Sequence, residues 1–188
     1  MTADRSLPRW ATWTLAAALL VAAWFVALVT PGEEQAQSPF VVDAEIGELA
    51  AGRNISVTVS DIRRADEVSD SDGWAAEGNW LVVDLDAAAV TSESLTRLHH
   101  AMIEIDGVRY SASDRPASLA GASLSVGIPQ SGALAFELPA DLDSGRAVLE
   151  LALNTDTRLD SMIVLPFDVA ETPHVAQTEL RETGWVNP

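Results

Sequence analysis

Residues 10–29 read WATWTLAAALLVAAWFVALV, twenty consecutive positions without a charge. At about 1.5 Å of rise per residue, a helix of this length spans about 30 Å, the thickness of a bilayer's hydrocarbon core. The run has no polar face, so the interior of a small globular domain offers it no natural seat. Trp10 and Trp13 stand at its N-terminal end, where indoles favour the headgroup region, and Trp24 and Phe25 lie toward the other end. Arg5 and Arg9 precede the run, and Glu33 and Glu34 follow it. The positive-inside rule then places residues 1–9 in the cytoplasm and the bulk of the chain outside. A cleaved signal peptide is the competing reading, but its apolar region normally runs only ~7–15 residues and ends at a small-x-small site. The best such site here, Ala36-Gln37-Ser38, is followed by Pro39, which signal peptidases handle poorly. The expectation is an uncleaved single-pass anchor, with the lipid bilayer as the partner of Trp10 through Val29. A lipoprotein anchor would need a cysteine, and the chain has none.

The charge is distributed as unevenly as the hydrophobicity. Residues 1–30 carry Asp4, Arg5 and Arg9, whereas the remainder carries nine arginines and 27 acids, within a total of −17. An external domain this acidic stays soluble and is drawn to cationic rather than anionic partners. Autonomous binding to nucleic acid is excluded, because it needs a cationic surface to displace counterions from phosphates. The lack of cysteine also removes disulfide scaffolds, zinc ribbons and thiol nucleophiles.

Residues 30–39 are polar, carry Pro31 and Gly32, and read as a linker. From 40 to 170 the pattern changes to short alternating runs. Ile55, Val57 and Val59 face one way in NISVTVS, and Leu81, Val83 and Leu85 do so in WLVVDLD, with Asp84 and Asp86 opposed. Ile103 and Ile105 oppose Glu104, and Asp106-Gly107 then forms a two-residue hairpin turn into Val108-Arg109-Tyr110. Further runs are ALAFEL at 133–138, AVLELAL at 147–153 and MIVLPFDV at 162–169, where Pro166 marks an edge or bulge. About six to eight strands at this spacing, counting one at 40–44 and allowing a helical turn near 92–98 or 117–119, predict a mainly β domain. The fold class expected is an immunoglobulin-like antiparallel β-sandwich preceded by one transmembrane helix. Residues 171–188 return to polar composition and predict a flexible tail, with one helical turn near 177–182 and a tryptophan, Trp185.

One N-terminal anchor followed by VTVSDIRRA, GNWLVVDLDAAAV, IEIDGVRYSASDR and SGALAFELPADL resembles the DUF4352 group. These are immunoglobulin-like extracytoplasmic domains common in Gram-positive bacteria, and the resemblance covers roughly residues 47–169. Asp106, Gly107 and Tyr110 match the group's hairpin, and Phe136, Leu138 and Pro139 match its later strand ending. Ala87, Ala88 and Ala89 stand where the group normally has V-x-N-x-G. The resemblance implies a cell-surface interaction or ligand-sensing domain without established catalysis. The lysine-free, alanine-rich composition resembles that of a high-GC actinobacterium.

Asp66, Glu67, Asp70 and Asp72 fall within seven residues, before Gly73 and Trp74. Calcium takes six to eight hard oxygens from flexible loops, so these four are the candidate metal ligands. With Gly73 at the sixth position of an EF-hand, Val68 and Asn79 fall at the first and twelfth, where acids are required, so the loop is not an EF-hand. A solvated acidic loop is the simpler reading, and calorimetric titration with calcium separates the two. His99 and His100 project to opposite faces of a strand and do not chelate one ion. There is no Gly-x-Ser-x-Gly elbow, and carboxylate pairs such as Glu104 with Asp84 are too common in so acidic a chain to indicate a glycosidase. No catalytic or cofactor-binding residue is assigned, and the chain is read as a non-enzyme. Trp74, Arg115 and Trp185 are the candidate partner contacts, because tryptophan and arginine dominate interface hot spots. The function expected is a membrane-anchored, non-catalytic interaction module for another membrane or envelope protein. The alternatives are a ligand- or calcium-sensing domain using the acidic loop and an envelope hydrolase.

Overall fold

The computed structural model describes residues 8–29, 38–91, 97–158 and 160–186, and the chain divides into two compact units at Ser38. In the first unit, Arg9–Val29 forms one helix, α1. Alanine and leucine, strong helix formers, fill most of it. Its segment Trp10–Leu28 has a mean hydropathy of 2.0, so the helix is long and apolar enough to cross a membrane. Thr14 Oγ1 donates to the Trp10 carbonyl at 2.7 Å, which satisfies the hydroxyl inside the helix itself.

The second unit is a β-sandwich. One sheet has the order β1 (Phe40–Asp43), β9 (Ser161–Asp168), β8 (Arg146–Ala152), β5 (His100–Ile105), β6 (Val108–Ser111). The other runs β10 (His174–Glu179), β3 (Ile55–Ser69), β4 (Ala75–Ala89), β7 (Gln130–Leu138), β11 (Gly184–Trp185), with β2 (Leu49–Ala51) also paired to β3. The main core lies between them. Ile55, Val57, Val59, Leu81, Val83, Leu85, Leu134 and Phe136 meet Ile103, Ile105, Leu149, Leu151, Ile163 and Leu165, all buried. These are the positions that the period-two pattern assigns inward. The hairpin at Asp106-Gly107 has φ of 47° and 84°, the paired positive values of a type I′ turn. β1 pairs with β9 only as far as Val164, so Pro166 lies where β9 is an edge, as its missing N–H requires.

The structure corrects the sequence pattern in four places. β3 and β4 are each fifteen residues long, so Asp66 and Glu67 stand on a strand rather than in a loop. The β3–β4 register shifts at Val59/Asp61 and again at Ala65/Glu67, irregularities that bend and twist such long strands. The sandwich is not wholly antiparallel, because β1 runs parallel to β9 and β10 parallel to β3. Residues 117–119 form bends rather than a helical turn, and residues 92–96 lie outside the described residues.

The largest correction concerns residues 171–188. Instead of a flexible tail with a helical turn, the described residues from Val169 to Val186 supply a 3₁₀ turn at Val169–Glu171 and the strands β10 and β11. β10 closes the β3 edge and β11 the β7 edge of the same sheet. Between them Leu180, 3% exposed, covers a second apolar cluster of Ala65, Val68, Trp80, Val82, Ala133 and Ala135. Leu180 N–H donates to Ser69 O at 2.8 Å, and Arg181 Nη1 pairs with Asp86 at 3.1 Å. The folded domain therefore reaches Trp185, and the C-terminal segment is a strap across the sheet's outer face.

Candidate binding site

Asp70 organises the turn between β3 and β4. It is 7% exposed, and its carboxylate faces inward. Oδ1 accepts from the N–H of Asp72 at 3.0 Å and of Trp74 at 2.9 Å, and Oδ2 accepts from Ala117 N–H at 2.7 Å. The last bond ties this turn to the loop between β6 and β7. The Ala117 N–H, then those of Trp74, Asp72 and Gly73, hold the carboxyl below the usual carboxylate range, against the opposing effect of burial. A lowered folded value means that Asp70 stabilises the fold above its unfolded value of 3.8, and that this contribution disappears as pH falls through the folded value. Thermal melts between about pH 7 and 2 are expected to show a shallower acid decline for Asp70→Asn than for the parent. Parallel curves would contradict this role.

The clamp places two of the three candidate contacts together. Trp74 packs edge-on against Trp80, with ring centroids 5.8 Å apart and planes at 88°. The Arg115 guanidinium lies 5.7 Å from the Trp74 ring centre and 5.1 Å from that of Trp80. Arg115 also pairs with Glu137 on β7, rather than with its sequence neighbour Asp114. Trp80 is fully buried, while Arg115 is about half exposed at 47%. Trp185, 55% exposed, pairs in register with Gln130. Gln130 and Glu137 lie seven residues apart on β7, about 23 Å at ~3.3 Å per residue, so Trp185 belongs to the opposite end of the strand.

The four acids separate. Asp66 pairs with His174 Nε2 at 2.9 Å, and Glu67 accepts from Gln177 Nε2 at 2.6 Å. Asp70 is committed to backbone N–H groups, and Asp72 is exposed at the turn. Among the described residues, no three His, Asp or Glu side chains converge to hold a metal ion. His100 pairs with Glu150 at 3.2 Å, and His99 is exposed. Asp84 pairs with Arg63, whereas Glu104 pairs with Arg109 on the other sheet, so these two carboxylates do not flank a common substrate.

A cleft of about 550 Å³ was not anticipated. It lies where the sandwich core ends, lined by Arg64, Asp66, Asn79, Leu142, Asp143 and His174 among others. Asn79 Nδ2 donates to the carbonyls of Pro139 at 2.8 Å and Leu142 at 2.6 Å, fixing the β7–β8 loop as one wall. Arg64 was not legible as an inward residue, because the alternation Ile55, Val57, Val59 points even-numbered positions outward and only the ladder shift between Val59 and Asp61 turns Arg64 inward. Nor was His174, because β10 was unforeseen.

No family model matches the chain, and no curated protein matches it. Among solved structures it is similar to an uncharacterized β-sandwich protein of Clostridium difficile, at 12% identity and a TM-score of 0.46, over 73% of this chain and 99% of that one.

Proposed function

We propose that the chain is a single-pass membrane protein that displays a non-catalytic binding domain on the outer side of the cell membrane. The observation that carries this reading is an apolar helix of 21 residues, Arg9–Val29, joined to a separately folded sandwich. Arg5 before the helix, Arg9 at its first position and the acids after it support an N-terminus in the cytoplasm. The motif resemblance to DUF4352 domains supports an extracytoplasmic interaction role. The Trp74–Arg115 stack and the exposed Trp185 supply aromatic and arginine contacts of the kind that dominate interface energies. The partner class is an envelope or membrane protein whose contact surface is cationic, because the external part carries 27 acids against nine arginines.

Site-specific photo-crosslinking from positions 74, 115 and 185 of the anchored chain tests the reading. The expected result is one discrete crosslinked species, weakened by Trp185→Ala or Arg115→Ala by about tenfold or more. A uniform background from all three positions would contradict it.

A further inference from the structure

The inward-facing rank of β4 runs Leu85, Val83, Leu81 and then Asn79, and Arg64 is the residue on β3 paired with Leu81. Leu81 belongs to the main core, whereas the next pair, Ala65 and Trp80, belongs to the outer cluster. Arg64 is therefore on the inner face, in the last layer before the sandwich opens. A charged residue at an inward strand position breaks the binary pattern, and natural sequences concentrate such breaks at functional sites.

Arg64 is half-buried, and its Nε is fully shielded without a hydrogen-bond partner. Among the described residues its guanidinium makes no ion pair. Its neighbour Arg63 is held by Asp61 at 2.8 Å and Asp84 at 2.7 Å. Arginine is rarely withdrawn from water unless paired. Two acids line the same cleft, yet Asp66 is paired with His174 and Asp143 with no cation among the described residues.

We propose that this cleft binds a small zwitterion, an amino acid or short peptide, with its carboxylate on Arg64 and its ammonium on Asp143. The inference rests on the binding-module reading and gives it a ligand class. The guanidinium fork matches a carboxylate with two parallel hydrogen bonds. A simple anion would meet Asp66 and Asp143, and a simple cation would leave Arg64 unpartnered; a zwitterion satisfies both sides. The cleft's volume falls within the range of small-molecule sites.

Calorimetric titration of the full chain in detergent micelles uses alanyl-alanine, its N-acetyl derivative and its C-terminal amide as probes. The dipeptide is expected to bind, and each derivative to bind at least about tenfold more weakly. Arg64→Met, which keeps the stem and removes the charge, and Asp143→Asn, on an exposed loop, are each expected to cost a similar factor. Arg64→Met is also expected to raise the melting temperature, because it removes a shielded donor with no partner; a purely structural arginine would show a fall. Equal binding of all three probes, binding that survives both substitutions, or no binding up to about 10 mM would overturn the proposal and leave the module reading standing. Magnetic resonance of the recovered dipeptide separates the two readings. An intact dipeptide supports both, whereas a hydrolysed one would overturn the non-catalytic reading.

Discussion

Trp80→Ala is expected to lower the unfolding free energy of the sandwich by ~3–5 kcal/mol, and Leu180→Ala by ~2–5 kcal/mol. Trp80 is fully buried on the outer face of its sheet, under the strap, and Leu180 is 3% exposed. Both belong to one cluster with Val68, Val82, Ala133 and Ala135. Removing either side chain leaves a cavity that surrounding strands, fixed by ladders on both sides, close only in part. Because the residues share a cluster, the double variant is expected to lose less than the sum of the single losses. Domains of this size have about 5–15 kcal/mol in total, so either change takes a large share. Urea denaturation followed by tryptophan fluorescence, with circular dichroism as a second probe for the Trp80 variant, measures each. If Leu180→Ala shifts stability by less than about 0.5 kcal/mol, as an exposed tail residue would, then the strap does not cover this face.

Leu19→Arg is expected to release the chain from the membrane. Leu19 lies at the middle of α1. An arginine at a helix centre costs ~2.5–3.5 kcal/mol on insertion scales, and the lost leucine adds ~0.5 kcal/mol. The ratio of inserted to uninserted chain then falls by about a hundredfold or more. Alkaline extraction of membranes is expected to leave the parent in the pellet and move the variant to the supernatant, with the sandwich's melting temperature unchanged. A variant that stays in the pellet would show that something other than α1 holds the chain there.

What was legible in the sequence followed from side chains that face one way only. The alternation in NISVTVS and AVLELAL is read directly, because one face is apolar and the other wet. The Asp-Gly turn carries its own positive-φ chemistry. The twenty-residue apolar run needs only its length.

What was missed depends on faces covered from a distance. Trp80 through Val83 and Ala133 through Phe136 are buried on both sides of their sheet. Such continuous apolar runs signal that a second layer exists without saying which segment supplies it. The strap supplies it with little more than Leu180 and Val175, and most of its remaining residues are polar and face water. Polar composition therefore read as disorder, although the sheet edges gave the backbone its hydrogen bonds. The four acids of residues 66–72 divide through a feature of the fold that sequence spacing does not carry. Proximity in sequence gathered four carboxylates that strand alternation and Asp70's inward turn then sent to different partners. Trp74 and Arg115 lie 41 positions apart, and they meet because Asp70 binds the N–H groups of Trp74 and Ala117 while Glu137 and Trp80 hold the Arg115 guanidinium.

The chain's lack of cysteine makes the most direct test of its orientation simple. A single cysteine is introduced either at Thr2, before the helix, or at Asp72, on an exposed turn of the sandwich. Intact cells are then treated with a membrane-impermeant maleimide, and the mass of the labelled chain is measured. Thr2→Cys is expected to be labelled only after lysis and Asp72→Cys on intact cells, with the labelled chain retaining residues 1–29. Labelling of Thr2→Cys on intact cells, or an Asp72-labelled product cut after the helix, would contradict the anchored, outward-facing module.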